Sequence, residues 1–235
     1  MAAGTLGGAV AGVDGCPAGW VVVSVPRRGT RASAVSVVAG LGDVVGELEA
    51  GRLDAVAIDI PIGLPVRGPR AADVAARAQL GPRRSSVFPA PARAVLGASD
   101  YEDACRRSRA ACGVAVSTQL FNILPKIAEA DGLVSATLQR RLAEMCPELS
   151  LALLAGAPMA HAKRTPEGRS ERRDALARVF RDAAWHADHP PRGARADDVL
   201  DAFAGAWSAR RLASGTHLRL GGDLDERGLR MEIVA

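Results

Sequence analysis

The stretch AVAGVDGCPAGWVVVSV, residues 9–25, constrains this chain more than any other. Two apolar, β-branched runs over residues 10–13 and 20–25 read as strands. Gly15, Pro17 and Gly19 between them are turn formers, so the segment is a hairpin. A carboxylate, Asp14, stands at its mouth. An acid at the end of a buried strand is costly unless a metal ion, an Arg or a ring of backbone donors compensates it. The same acid also suits a simpler role, capping the turn through its own backbone.

The residues that follow build a sheet around the hairpin. PRRGT, residues 26–30, is a polar turn, and residues 32–38 alternate in character as a third strand of an antiparallel meander. Residues 41–50 carry Leu41, Val44, Val45 and Leu48 at helical spacing, and residues 53–60 form an apolar strand interrupted only by Asp54 and Asp59. A helix between two strands is a crossover, which sets the fourth strand parallel to the first and beside it. Parallel neighbours end on one side of a sheet, so Asp14 and Asp59 are expected close together. Pro61 and Pro65 stop that strand.

From residue 69 to about 139 the pattern is mostly helical, with segments near 70–80, 100–112 and 117–140. Within it, RRSSVFPAPAR, residues 83–93, is a basic, hydroxyl-rich loop suited to an anion such as phosphate. It reads equally as a solvated connector. Residues 141–147 read as a short fifth strand that brings Glu144, with a helix as the alternative. Residues 149–155 are helical, 158–169 a polar loop with Lys163 and Arg164, 171–185 helical, and 186–196 a loop. A helix over 197–213 follows, with Asp197 as its N-cap and with Asp198 and Asp201 on one face. Residues 229–234 read as a last edge strand. With no internal repeat or long linker, residues 1–235 read as a single domain.

Composition narrows the partners. Hydrophobic residues are 48% and charged residues 24% of the chain, which fits a globular protein rather than a disordered one. Only 3% are aromatic, too few for nucleic-acid binding through stacked rings. The net charge of +4 is almost all arginine, since Lys126 and Lys163 are the only lysines. That charge is compatible with a polyanionic partner and equally with a general Arg bias. Cys16, Cys105, Cys112 and Cys146 form no CxxC pair, and His161, His186, His189 and His217 complete no zinc site with them. The N-terminus lacks the basic lead of a secretory signal, and no apolar run approaches the ~20 residues that cross a bilayer. A cytoplasmic protein with reduced thiols and no membrane partner is expected.

Four acidic stations remain: Asp14, Asp59, Glu144 with Glu148 beside it, and Asp198 with Asp201. Converging carboxylates repel one another, and a hard divalent cation such as magnesium or manganese makes their convergence tolerable. Two such ions about 4 Å apart would position an attacking water and stabilise the leaving oxygen of a phosphodiester. Taken singly, each acid is also an ordinary strand-end or helix-start residue.

The strings GVDGCPAGW, AIDIPIGLP, RRSSVFPAPARAVL, STQLFNILPKIAEAD, EMCPE and DDVLDAFAGA, in this order, resemble the family called domain of unknown function 429, grouped with predicted ribonuclease H-like nucleases. The resemblance runs from residue 12 to about 210. It implies an α/β, ribonuclease H-like fold, a mixed five-stranded sheet flanked by helices, with residues 69–140 as a helical insertion. It implies that Asp14, Asp59, Glu144, Asp198 and Asp201 are the catalytic residues and the ligands of Mg2+ or Mn2+. It implies too that Arg83, Arg84, Ser85, Ser86, Arg93, Gln119, Asn122 and Lys126 line the same cleft as substrate contacts. Cys146 departs from the family, which often has an aromatic residue or His between this Glu and Pro. The implied activity is that of a metal-dependent nuclease or phosphodiesterase acting on nucleic acid or a small phosphodiester. A nucleotide-binding ATPase-like protein and a non-catalytic binding module are the competing readings, since one fold serves many functions.

Overall fold

A computed structural model describes residues 8–235. Its central sheet has five strands: β1 (Ala9–Cys16), β2 (Gly19–Pro26), β3 (Ala34–Val38), β4 (Leu53–Ile58) and β5 (Leu142–Glu144), in the spatial order β3-β2-β1-β4-β5. The first three form the antiparallel meander, whereas β4 lies parallel to β1 and β5 parallel to β4. The crossover from β3 to β4 runs through α1 (Leu41–Glu49), whose Leu41, Val44, Val45 and Leu48 are all buried, as their spacing requires.

Seven further helices follow: α2 (Ala71–Leu80), α3 (Tyr101–Cys112), α4 (Thr118–Leu133), α5 (Pro147–Ala155), α6 (Pro166–Ala177), α7 (Ala183–Asp188) and α8 (Ala196–Ser214). Side-chain caps start three of them: Asp100 accepts from the Asp103 amide, Ser117 from Leu120 and Thr165 from Gly168.

Strand alternation divides the core into two layers. Ala11, Val13, Trp20, Val56 and Ile58 face α1 and the Leu124 and Ile127 positions of α4. Val10, Val21, Val23, Ala55 and Ala57 face α8, meeting Val199, Ala202, Phe203 and Ala206. Each large apolar side chain so buried contributes roughly 1.5–3 kcal/mol. Helix α8 crosses β1 main chain to main chain. A Cβ on Gly12 would lie 1.9 Å from the Ala202 carbonyl oxygen and 2.0 Å from the Ala206 nitrogen, and one on Gly205 would lie 3.0 Å from the Gly12 Cα. Only glycine fits at position 12, and at 205 any larger residue would push the two elements apart by a few tenths of an ångström.

Several local expectations are corrected. The helix expected over 171–185 is two: α6 already begins at Pro166, capped by Thr165, and the chain leaves helix before α7, with Phe180 buried and Asp182 accepting from the Ala32 amide at 3.0 Å. Helix α7 runs on to Asp188, taking in His186. The helix expected to reach residue 140 stops at Leu133, and a 3-10 turn, Leu138–Arg140, follows. Residues 230–234 do not extend the edge of the main sheet. They form β7 (Arg230–Val234), paired antiparallel with β6 (Arg219–Leu224), and only a bridge from Val234 to Met145 joins them to the end of β5. Asp197 is not the cap of α8. Arg195 holds that position, and the Asp198 carboxylate three residues on accepts from its amide at 2.8 Å. Among the described residues no helix is long and apolar enough to cross a membrane.

Candidate functional site

The carboxylates are assembled by backbone register. Val13 of β1 pairs with Ile58 of β4, and the Asp59 amide donates to the Val13 carbonyl at 3.0 Å, so Asp14 and Asp59 emerge side by side where the two strands end. Asp14 lies two residues beyond Gly12 and points to the same face, toward α8. Asp201 lies one turn before Gly205 on the helix that touches Gly12, and Asp198 lies on the same helical face as Asp201. The close crossing of strand and helix thus brings three separated stretches of chain to one place.

The electrostatics agree. Burial pushes the Asp14 carboxyl well above the usual aspartate range, and Asp59, Asp201 and Asp198 add to the effect in that order. Burial, then Asp201, raises Asp59 to about 7. Asp198 is also raised, chiefly by burial, against the pull of the Arg195 amide it accepts from. Lys163 opposes the rise at Asp14, Asp59 and Asp198 alike, with the Arg195 charge adding to it at Asp198; its Nζ lies 3.0 Å from Asp201 Oδ2 while 49% of its side chain stays exposed. The Asp14 carboxylate also accepts from the Gly15 amide at 2.8 Å, the turn-capping role open to it from the sequence.

Glu144 adds to the rise at Asp59 but is held apart from the other acids. It is register partner to Ile58 and so points to the opposite face of the sheet. There Arg70 grips it at 2.6 and 2.7 Å, and the Ile62 amide donates to it at 2.7 Å. Burial raises its carboxyl to about 7, with Arg70 pulling it back. Arg70 also binds Asp73 at 2.5 Å, and all three side chains are buried. Glu148 is likewise closed off, held by Arg172 at 2.7 and 2.8 Å. Cys146 is a buried thiol pushed up by burial and then by nearby Asp59.

The basic and polar candidates separate as well. Lys126 stands by the turn after Asp14: its Nζ donates to the Gly19 carbonyl at 2.5 Å and sits 4.4 Å from the centre of the Trp20 ring, with its methylenes against Gly15. Arg93 is instead ion-paired with Asp131 and Asp225. Arg83 donates to the Met159 and Ala160 carbonyls, bracing the loop that carries Lys163. Arg84, Ser85 and Ser86 are exposed on the 3-10 turn Gly81–Ser86, and Gln119 and Asn122 are exposed on α4. Sequence reasoning missed Lys163 and Arg70. The signal for Lys163 was its rarity, as one of two lysines among thirty Lys and Arg residues.

The gathered donors are all hard oxygens in excess negative charge, a set that fits Mg2+ or Mn2+ rather than a softer metal. Among the described residues, however, no three His, Cys, Asp or Glu side chains are drawn tightly enough to enclose an ion. An ion would have to pull the carboxylates inward.

A family model described as protein of unknown function (DUF429) matches residues 12–226. No curated protein and no solved structure matches the chain.

Proposed function

The chain belongs to the DUF429 family, and we propose that it is a metal-dependent phosphodiester hydrolase on a ribonuclease H-like sheet, acting on nucleic acid or a small phosphodiester. One observation carries this reading: Asp14, Asp59, Asp198 and Asp201 crowd together, and the Lys163 ammonium is the cation they share. Carboxylates buried for structure in this molecule are closed by an arginine, as Glu144 is by Arg70 and Glu148 by Arg172. These four are not. The fold assignment draws support from the strand order β3-β2-β1-β4-β5 and from acids at the ends of β1 and β4 and on the last helix.

Asp14 and Asp59, fixed on adjacent strand ends, would hold Mg2+ or Mn2+, and Asp201 with Asp198 would complete the set from α8. When bound, such an ion polarises a phosphoryl oxygen and activates a water.

The test pairs binding with hydrolysis. Mn2+ at a few millimolar is expected to raise the melting temperature of the wild-type protein and not that of Asp14→Asn, by mass action on a native-state site. Cleavage of bis(p-nitrophenyl) phosphate, DNA or RNA is expected to fall at least about a hundredfold in the same variant. A wild-type protein that neither shifts with Mn2+ nor cleaves any of these substrates would leave the non-catalytic module as the reading.

A further inference from the structure

Lys163 sits on the connection between α5 and α6, and that connection is built to hold it. Arg83 donates to the Met159 carbonyl at 2.8 Å and to that of Ala160. Glu171 accepts from the Ala160 and His161 amides at 2.7 and 2.9 Å. Arg172, itself locked to Glu148, donates to the His161 carbonyl at 3.1 Å. On the far side, Thr165 Oγ1 donates to the Ala162 carbonyl at 3.1 Å. Every residue from 159 to 162 is tied down by hydrogen bonds, and Lys163 follows with its ammonium 3.0 Å from Asp201 and half its side chain in solvent. A surface lysine on a free loop has no such support.

The choice of lysine carries information of its own. The molecule closes its buried structural carboxylates with arginine: Arg70 on Glu144 and Asp73, Arg172 on Glu148, Arg93 on Asp131 and Asp225. A planar guanidinium grips a carboxylate bidentately and holds it, whereas an ammonium is a compact point charge on a flexible stem that exchanges readily with water. In a chain with two lysines among thirty basic residues, one is placed at a carboxylate cluster with which, among the described residues, no arginine forms an ion pair.

We propose that Lys163 is an internal counter-cation that stands in for the divalent ion at Asp201 and is displaced into solvent when the ion binds. The inference rests on the metal reading given above. In the metal-free protein the ammonium makes the crowded carboxylates tolerable. On metal binding the ion takes over that role, and the exposed half of the side chain gives the ammonium a path outward, where a substrate phosphate would meet it. Lys163 acts on the ion through Asp201, so it is a positioning residue.

The test is Mn2+ titration by calorimetry on the full chain at pH 8 and low salt, for wild type, Lys163→Gln and Lys163→Arg. Removing the competing cation is expected to tighten Mn2+ binding about tenfold, equivalent to ~1.4 kcal/mol, while Lys163→Arg keeps the wild-type affinity or weakens it. A lysine needed to hold Asp201 in place would instead give weaker binding on removal. Wild type binding Mn2+ with Lys163→Gln equal or weaker overturns the counter-cation inference and leaves the metal reading standing. Failure of both proteins to bind Mn2+ overturns the metal reading itself. Should Lys163→Gln not fold, Arg83→Ala, which loosens the loop without touching a carboxylate, is expected to tighten binding two- to threefold, and an unchanged affinity there overturns the inference.

Discussion

Replacing Asp59 with Asn is expected to make the metal-free protein more stable above pH 7, although it removes a candidate site residue. Burial and Asp201 raise the Asp59 carboxyl from an ordinary 3.8 to about 7. Each unit is worth ~1.4 kcal/mol, so holding this group ionised in the folded chain costs up to about 4 kcal/mol. Charge shared with Asp14 and Asp201, together with salt screening, brings the expected effect to about 1–3 kcal/mol. Below pH ~4 the carboxyl is protonated in both folded and unfolded chains, and the favourable neutral state is fully retained. Between pH ~4 and ~7 the unfolded chain gives up its proton first, so stability falls as pH rises, and above ~7 the loss is complete. Asn has the same shape and never ionises. Urea unfolding with EDTA should therefore show the variant ahead by about 1–3 kcal/mol at pH 8 and level with wild type at pH 4, and saturating Mn2+ should invert the order at pH 8. A variant less stable than wild type at pH 8 without metal, or a gap that does not change with pH, would refute the reasoning.

Arg70→Ala strands Glu144 and Asp73 in the interior without their cation, and urea midpoints are expected to show a loss of about 3–5 kcal/mol; a loss under 1 kcal/mol would mean the two acids are neutral. Gly12→Ala sets a methyl group 1.9 Å from the Ala202 carbonyl, so α8 must lift from β1, at a cost of about 3 kcal/mol or more by thermal unfolding. Gly46→Ala, in an exposed turn of α1 with nothing within 4 Å, is the matched control and is expected to gain about 0.5–1 kcal/mol.

The parts of this fold legible in the sequence are those set by local pattern and chain connectivity. The β-branched runs and their turn residues specify the meander, and the helix between β3 and β4 requires β4 to lie parallel to β1, which sets Asp14 beside Asp59. The same logic failed at β5, where only three residues pair with β4. A strand that short has no alternation from which to read which way Glu144 points, and one step of register moves it to the other face. Arg93 was unreadable because its partners lie 38 and 132 residues away. Strand β6 was hidden by Gly221 and Gly222, which signal a turn when viewed locally. An acid suits the cap position, which is why Asp197 reads as the cap in sequence, whereas the neighbouring Asp198 closes the helix from inside.

At the crossing of Gly12 and Gly205 nothing but polypeptide backbone separates strand from helix. The distance between the acid on β1 and the acids on α8 is therefore a gauge fixed by the thickness of the main chain, not by how any side chain happens to fill space. Apolar neighbours along this seam are free to exchange size and shape over many substitutions without altering the gauge. Loss of Gly12 would reset it.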